Sequence, residues 1–131
     1  MLLDTSGLLC YHHRDELHHG DAVTFFHAAP YLLTHSYVLA EFIALCQARG
    51  LNRAATLAFV ADLIGNEGVE VVWVDELLNH AALSFLKSRL DKTYSLCDAV
   101  SLVLMRTRGI NEALTTDRHF EQEGFLRLLK T

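Results

Sequence analysis

VEVVWVDELLNHAALSFLKSRL, residues 69–90, decides the architecture. Its first six residues, Val69 to Val74, are rich in β-branched side chains and predict a strand. Asp75 then stands in an N-cap position, and Leu78, Ala81, Ala82, Phe85 and Leu86 recur at helical spacing, so one amphipathic helix follows at once. A strand handed directly to a helix, if repeated along a chain, implies parallel pairing with helices on both faces of the sheet.

The unit does repeat on either side. MLLD at residues 1–4 is a short apolar run ending in turn chemistry, a candidate strand, and helix-like SGLLCYHHRD follows it at 6–15. DAVTFFHAA at 21–29 predicts a second helix, which Pro30 stops before the strand candidate YLLT at 31–34. Ser36 is placed to cap YVLAEFIALCQAR at 37–49, which Gly50 ends. Asn52 is placed to cap another helix, in which Leu57, Val60, Ala61 and Ile64 keep helical spacing before Gly65. Beyond residue 90 come SLCDAVSLVLM at 95–105, apolar on nearly every face and so a buried helix, then the strand candidate ALTT at 113–116, the helical turn DRHFEQEG, and a last strand, FLRLL. The expectation is an α/β chain, a three-layer α/β/α sandwich with a central parallel β-sheet, spanning residues 1–131 as a single domain.

Composition narrows the function classes. With 51% hydrophobic and 21% charged residues and one proline, the chain is an ordinary globular protein rather than a disordered one. A net charge of −5 argues against a broad basic surface for nucleic acid, but not against acidic groups gathered round a divalent cation. Cys10, Cys46 and Cys97 are odd in number, far apart and without a C-x-x-C pair, so they read as core thiols rather than disulfides or zinc ligands. The start lacks a basic n-region and no apolar run reaches membrane-spanning length, so the expectation is a cytoplasmic protein with no membrane partner.

In a parallel α/β fold, ligands gather beyond the carboxyl ends of the strands. Asp4 closes the first strand and Asp117 follows ALTT, so both belong at that edge. Glu41 lies in the third helix among Tyr37, Val38, Ala44 and Leu45, and Asp98 lies in the first turn of the most apolar helix; both are expected to face something other than open water. Each aspartate has an ordinary structural explanation. Asp4 suits an Asx-turn or cap, Asp117 an N-cap, and Ser95-x-x-Asp98 a capping box. Taken together, four acids at one sheet edge repel one another and form the oxygen-rich set that Mg²⁺ or Mn²⁺ requires.

LLDTSGLL, the AEF of the third helix, DKTYSLCDAVSLVLM and ALTTDRHFEQEGF also occur in the order and spacing of a PIN domain, and the chain resembles most the toxin ribonucleases of the VapC type over its whole length. The family's four acidic positions match Asp4, Glu41, Asp98 and Asp117, with none missing. The resemblance implies a metal-dependent endoribonuclease using Mg²⁺ or Mn²⁺ on an RNA substrate. It also implies a homodimer and a cognate antitoxin of a type II toxin–antitoxin pair. Asp4, Glu41 and Asp98 are then the principal ligands, and Asp117 the one acting through water. Thr5, Ser6, Ser95, Thr115 and Thr116 adjoin these acids and are candidates to orient them or touch phosphate, and Asp91 is a weaker supporting candidate. Two rival readings stand beside this one. The first is a PIN-like scaffold that binds RNA or protein without catalysis, and the second a phosphoaspartate phosphohydrolase with Asp4 as nucleophile, which would want a second Asp where Ser6 stands.

Other features have plainer explanations. His12, His13, His18 and His19 lack H-x-x-x-H spacing, and the pairs His12/Glu16 and Asp15/His19 suit exposed contacts on a helix. His119 is expected to pack or cap, with substrate contact as the alternative. Phe25, Phe26, Phe42, Phe59 and Trp73 read as core or dimer surface. Lys87, Arg89, Lys92, Arg106 and Arg108 are the candidate phosphate contacts, although Arg106 and Arg108 also suit a helix C-terminus. The helices within 8–28 and 51–65 carry apolar faces suited to an antitoxin, a second subunit or the core.

Overall fold

The computed structural model describes residues 1–130. Its elements run β1 (Leu2–Leu3), α1 (Thr5–His12), α2 (His19–Ala28), β2 (Leu32–His35), α3 (Ser36–Ala48), α4 (Arg53–Gly65), β3 (Val69–Val72), α5 (Glu76–Lys87), α6 (Leu96–Arg108), β4 (Glu112–Leu114), α7 (His119–Gln122) and β5 (Leu126–Arg127). The five strands form one sheet in the order β3-β2-β1-β4-β5, and every neighbouring pair is parallel. This is the α/β/α sandwich expected from the alternation.

The short strands sort their side chains by strict alternation. Leu3, Leu32 and Leu114 enter one apolar cluster with α1 to α4, while Leu2, Leu33 and Ala113 enter another with α5 and α6. The central strand is therefore buried on both faces, as parallel sheets require. Among the described residues no helix is long and apolar enough to cross a membrane. Cys10, Cys46 and Cys97 are buried free thiols, as expected.

Several local expectations are corrected. The first helix stops at His12, so the segment 13–18 is a turn and the proposed helical pairs do not form. Instead Glu16 receives Arg49 at 2.8 Å, His19 Nδ1 meets the Cys10 carbonyl at 2.8 Å, and His12 packs against the rings of Phe42 and Phe59. Ser36 is the first helical residue, not the cap: its Oγ accepts from Val74 N–H, and His35 caps α3 by accepting from Val38 N–H. Asn52 and Asp75 do cap their helices, accepting from Ala55 and Leu78 N–H. On α4 the buried face is Thr56, Val60 and Leu63, which leaves Leu57, Ala61 and Ile64 at the surface. On α5, Leu78, Ala82, Phe85 and Leu86 pack inward as the periodicity requires, but Ala81 is exposed. ALTT contributes only its first two residues to β4, and Thr115 and Thr116 begin the following turn. Phe26 and Phe42 are core, Phe25 and Phe59 pack on its edge, and Trp73 is exposed.

Candidate metal centre

From β1 the chain winds outward to β2 and β3, then returns to place β4 on the other side of β1. The crevice between the carboxyl ends of β1 and β4 is therefore the topological switch point, where open parallel sheets bind ligands. Register brings Leu3 opposite Leu114, and Asp4 N–H donates to the Leu114 carbonyl. Asp4 thus leaves β1 beside Thr115. The approach is close because position 7 lacks a side chain: a Cβ there would lie 1.8 Å from the Leu114 carbonyl oxygen.

Hydroxyls tie the two strand ends together. Thr115 Oγ1 donates to Asp4 Oδ2 at 2.7 Å and accepts from Asp117 N–H at 2.9 Å. Ser6 Oγ lies 3.0 Å from Thr115 Oγ1, accepts from Thr116 N–H and reaches Asp4 Oδ2 at 3.5 Å. Thr116 takes part here through its backbone. Among the described residues the buried Thr5 hydroxyl has no hydrogen-bond partner other than its approach to the Cys97 thiol.

Asp98 comes from α6. The capping box is real: Ser95 Oγ accepts from Asp98 N–H, and Asp98 Oδ2 accepts from Ser95 N–H, both at 3.0 Å. The same Oδ2 faces His119 Nδ1 at 3.0 Å. Among the described residues Oδ1 has no partner, so capping occupies one carboxylate oxygen and leaves the other. Asp117 Oδ1 accepts from His119 N–H at 2.9 Å, and its Oδ2 lies 3.3 Å from His119 Nδ1. Ligand atoms of Asp98, Asp117 and His119 all fall within 4.8 Å of one another.

Electrostatics marks Asp4 as the strained member. It is 4% exposed, and burial pushes its carboxyl up to about 7, with the Thr115 hydrogen bond opposing and the charges of Asp98 and Asp117 adding to the rise. Among the described residues no cation pairs with it. A buried acid flanked by two more acids fits a hard divalent ion, which reverses the sign of the local field.

The structure brings Asp4, Asp98 and Asp117 together with Ser6, Ser95 and Thr115. Glu41 differs from expectation: it is exposed, because α3 buries Val38, Leu39, Phe42 and Cys46 on its other side. Its charge is nonetheless felt at the buried Cys97 thiol, which burial raises first and the charges of Glu41, Asp4 and Asp98 raise further. Glu41 therefore stands at the rim of the same acidic field. Asp91 is exposed beside Lys92 and, among the described residues, makes no hydrogen bond or ion pair with these acids' partners.

The phosphate candidates are largely reassigned. Arg89 and Arg106 are committed to Glu123, and Arg108 to Glu70 near the amino ends of the strands, away from the acids. Glu123 and Tyr94 escaped the sequence reading, since nothing local marks a pairing across 29 positions. The one available signal was the i,i+4 spacing of His119 and Glu123, which on a continuous helix would put both on one side, although α7 ends at Gln122.

Comparison with known proteins identifies the family. The PIN domain family profile matches residues 1–126. The chain is 30% identical over 129 residues to the 23S rRNA-specific endonuclease VapC20 of Mycobacterium tuberculosis strain H37Rv, covering 98% of this chain and 97% of that protein. VapC20 of strain CDC 1551 matches to the same extent. The crystal structure of M. tuberculosis VapC20, described as a Sarcin-Ricin loop cleaving toxin, superposes with a TM-score of 0.86 at 29% identity over 95% of each chain.

Proposed function

Because the chain belongs to the PIN domain family, we propose that it is a metal-dependent endoribonuclease that hydrolyses RNA phosphodiester bonds as the toxin of a type II toxin–antitoxin pair. The observation that carries this reading is Asp4: a buried carboxyl, raised to about 7, bracketed by Asp98 and Asp117 at the β1/β4 switch point. Carboxylates in this state serve no packing purpose and are costly without a cation.

Asp4, Asp98 and Glu41 are the groups to hold Mg²⁺ or Mn²⁺. Asp117, both of whose oxygens already face His119, acts through water. Such an ion, when bound, would supply Lewis-acid chemistry to a phosphoryl oxygen and to water. The chain's own contribution is orientation. Thr115 and Ser6 hold Asp4 Oδ2, and the capping box holds Asp98 Oδ2, so each acid meets the site in one rotamer. Substrate phosphates are met by Lys87, Lys92 and Arg118, exposed cations that are not committed to Glu123 or Glu70.

Partner surfaces suit the same role. The cleft among α1, α2 and α4, about 210 Å³ and lined by Tyr11, Phe26, Phe59 and Leu63, is the seat we assign to an antitoxin. Trp73, just past β3, and Leu77, at the start of α5, 61% and 80% exposed, are assigned to the homodimer. An RNA substrate of this kind is the reason we assign the chain's action to the cytoplasm.

The test is cleavage of a single-stranded RNA and of a sarcin-ricin loop oligonucleotide, the structure the relative is described as cutting. Cleavage should require Mg²⁺ or Mn²⁺, stop with chelator, and fall at least about 100-fold in Asp98→Asn and Glu41→Gln prepared identically. Equal cleavage by both variants would remove the site assignment.

A further inference from the structure

His119 stands where two separate parts of the molecule reach the carboxylates. Its Nδ1 lies 3.0 Å from Asp98 Oδ2 and 3.3 Å from Asp117 Oδ2. Carboxylate oxygens accept, so Nδ1 carries the ring proton that both share. On its far side the ring meets the Thr93 hydroxyl at 3.2 Å through Nε2 and packs edge-on against Tyr94, with centroids 5.1 Å apart.

Tyr94 is itself anchored. Its hydroxyl donates to Glu123 Oε2 at 2.7 Å, and the Glu123 side chain is 4% exposed. Arg89 donates to both Glu123 oxygens at 3.1 and 3.2 Å, and Arg106 adds a third contact at 2.7 Å. A buried carboxylate with this many charge-assisted donors has little freedom. Glu123, just past α7, thereby fastens the segment between α5 and α6 to the helix that carries His119.

We infer that His119, braced by Tyr94 and through it by Glu123, is a positioning residue: it holds Asp98 Oδ2 and Asp117 from outside, so that Asp98 Oδ1 is presented to a divalent ion. The inference rests on the acidic site proposed above. Hydrogen bonds that grip a ligating carboxylate from behind set its orientation and basicity, and their loss weakens metal affinity markedly. Direct ligation by Nδ1 is the competing arrangement. It would require the ring to surrender its proton and both carboxylate contacts at once.

Mn²⁺ titration of the metal-free chain, read by the electron paramagnetic resonance signal of free Mn²⁺, separates these cases. His119→Ala should weaken Mn²⁺ binding on the order of 10- to 100-fold, and His119→Asn, whose amide can donate from the same place, should return to within about three-fold of the parent. Tyr94→Leu, which keeps bulk but removes the aromatic edge, should lie between them. Pulsed resonance of the parent complex should lack the strong nitrogen coupling of a coordinated imidazole. If His119→Ala lowers the melting temperature but leaves Mn²⁺ affinity within about two-fold while Asp98→Asn abolishes binding, His119 is merely structural and this inference falls. Strong imidazole coupling would also overturn it, in favour of direct ligation. Undiminished Mn²⁺ binding by Asp98→Asn would instead overturn the site itself.

Discussion

Thr115 Oγ1 donates a 2.7 Å hydrogen bond to Asp4 Oδ2, joining residues 111 positions apart across the carboxyl ends of β1 and β4. The same hydroxyl accepts from Asp117 N–H, so one oxygen orients two acids of the candidate centre. Thr115→Val removes the donor and leaves the Asp117 amide without its partner. The variant should lose about 1–3 kcal/mol of stability, the usual cost of an unmatched buried polar group, and bind Mn²⁺ more weakly. Thr115→Ser should retain most of both. Chemical denaturation and metal titration of the two variants check this, and equal behaviour of Val and Ser would contradict it.

Metal-free stability should carry two opposing pH signatures. Asp4 is raised from 3.8 to about 7, chiefly by burial. Through that window the folded chain keeps a proton that the unfolded chain has released, so stability falls as pH rises, by up to roughly 4 kcal/mol. His35, fully buried with Nδ1 accepting from Val38 N–H and Nε2 donating to Ser101 Oγ, is lowered from 6.5 to about 4 by burial. Its contribution is complete above the unfolded value and is lost as pH falls through the folded one, a slope of opposite sign and similar size. The two should nearly cancel in the parent chain between pH 4 and 7. Asp4→Asn exposes the His35 slope alone and should be the more stable protein at pH 8 without metal. Added Mg²⁺ should then raise the melting temperature of the parent but not of Asp4→Asn; parallel pH profiles for the two proteins would contradict the assignment.

Gly7 sits against the Leu114 carbonyl, where a Cβ would approach to 1.8 Å. Neither backbone can yield without opening the Asp4–Thr115 contact. Gly7→Ala should cost at least about 1–3 kcal/mol, as overpacking does, and weaken metal binding together with stability. An unchanged melting temperature would show that α1 shifts freely.

Arginines divide by partner. Arg106→Ala removes a donor from the buried Glu123 and should cost about 1–3 kcal/mol, with little effect on the salt dependence of RNA binding. Arg118→Ala, exposed beside Asp117, should leave stability within about 0.5 kcal/mol and lower the slope of log affinity against log salt by about one phosphate contact. Fluorescence anisotropy with labelled RNA across a salt series distinguishes them; the reverse pattern would restore the purely sequence-based assignment of Arg106.

Much of the fold was legible in one dimension. Alternation of apolar runs with capped, periodic helices forces parallel pairing, because a strand followed by a packed crossover helix can return only in the same direction. Asn52 and Asp75 were readable as caps since a cap bonds only three residues ahead. Asp98 was readable as both cap and candidate ligand; in the structure its Oδ2 makes the capping contact, and Oδ1 has no partner among the described residues.

Tertiary structure decided what local pattern leaves degenerate. Helical spacing on α4 allowed two apolar stripes, and only packing against α3 and β3 showed that Thr56, Val60 and Leu63 face inward while Leu57 and Ile64 do not. Glu41 belonged to the acidic set by its place in the family pattern, but its exposure depends on which face α3 turns to the core. The arginines were equally cationic in sequence, and their commitment to Glu123 and Glu70 is a matter of distance in space. Periodicity and capping act over a few residues, so the sequence by itself determined the elements, their alternation and the acids at the sheet edge. Burial, charge pairing and the grip of Thr115 and His119 on those acids act between residues far apart in the chain, and only the folded arrangement could set them.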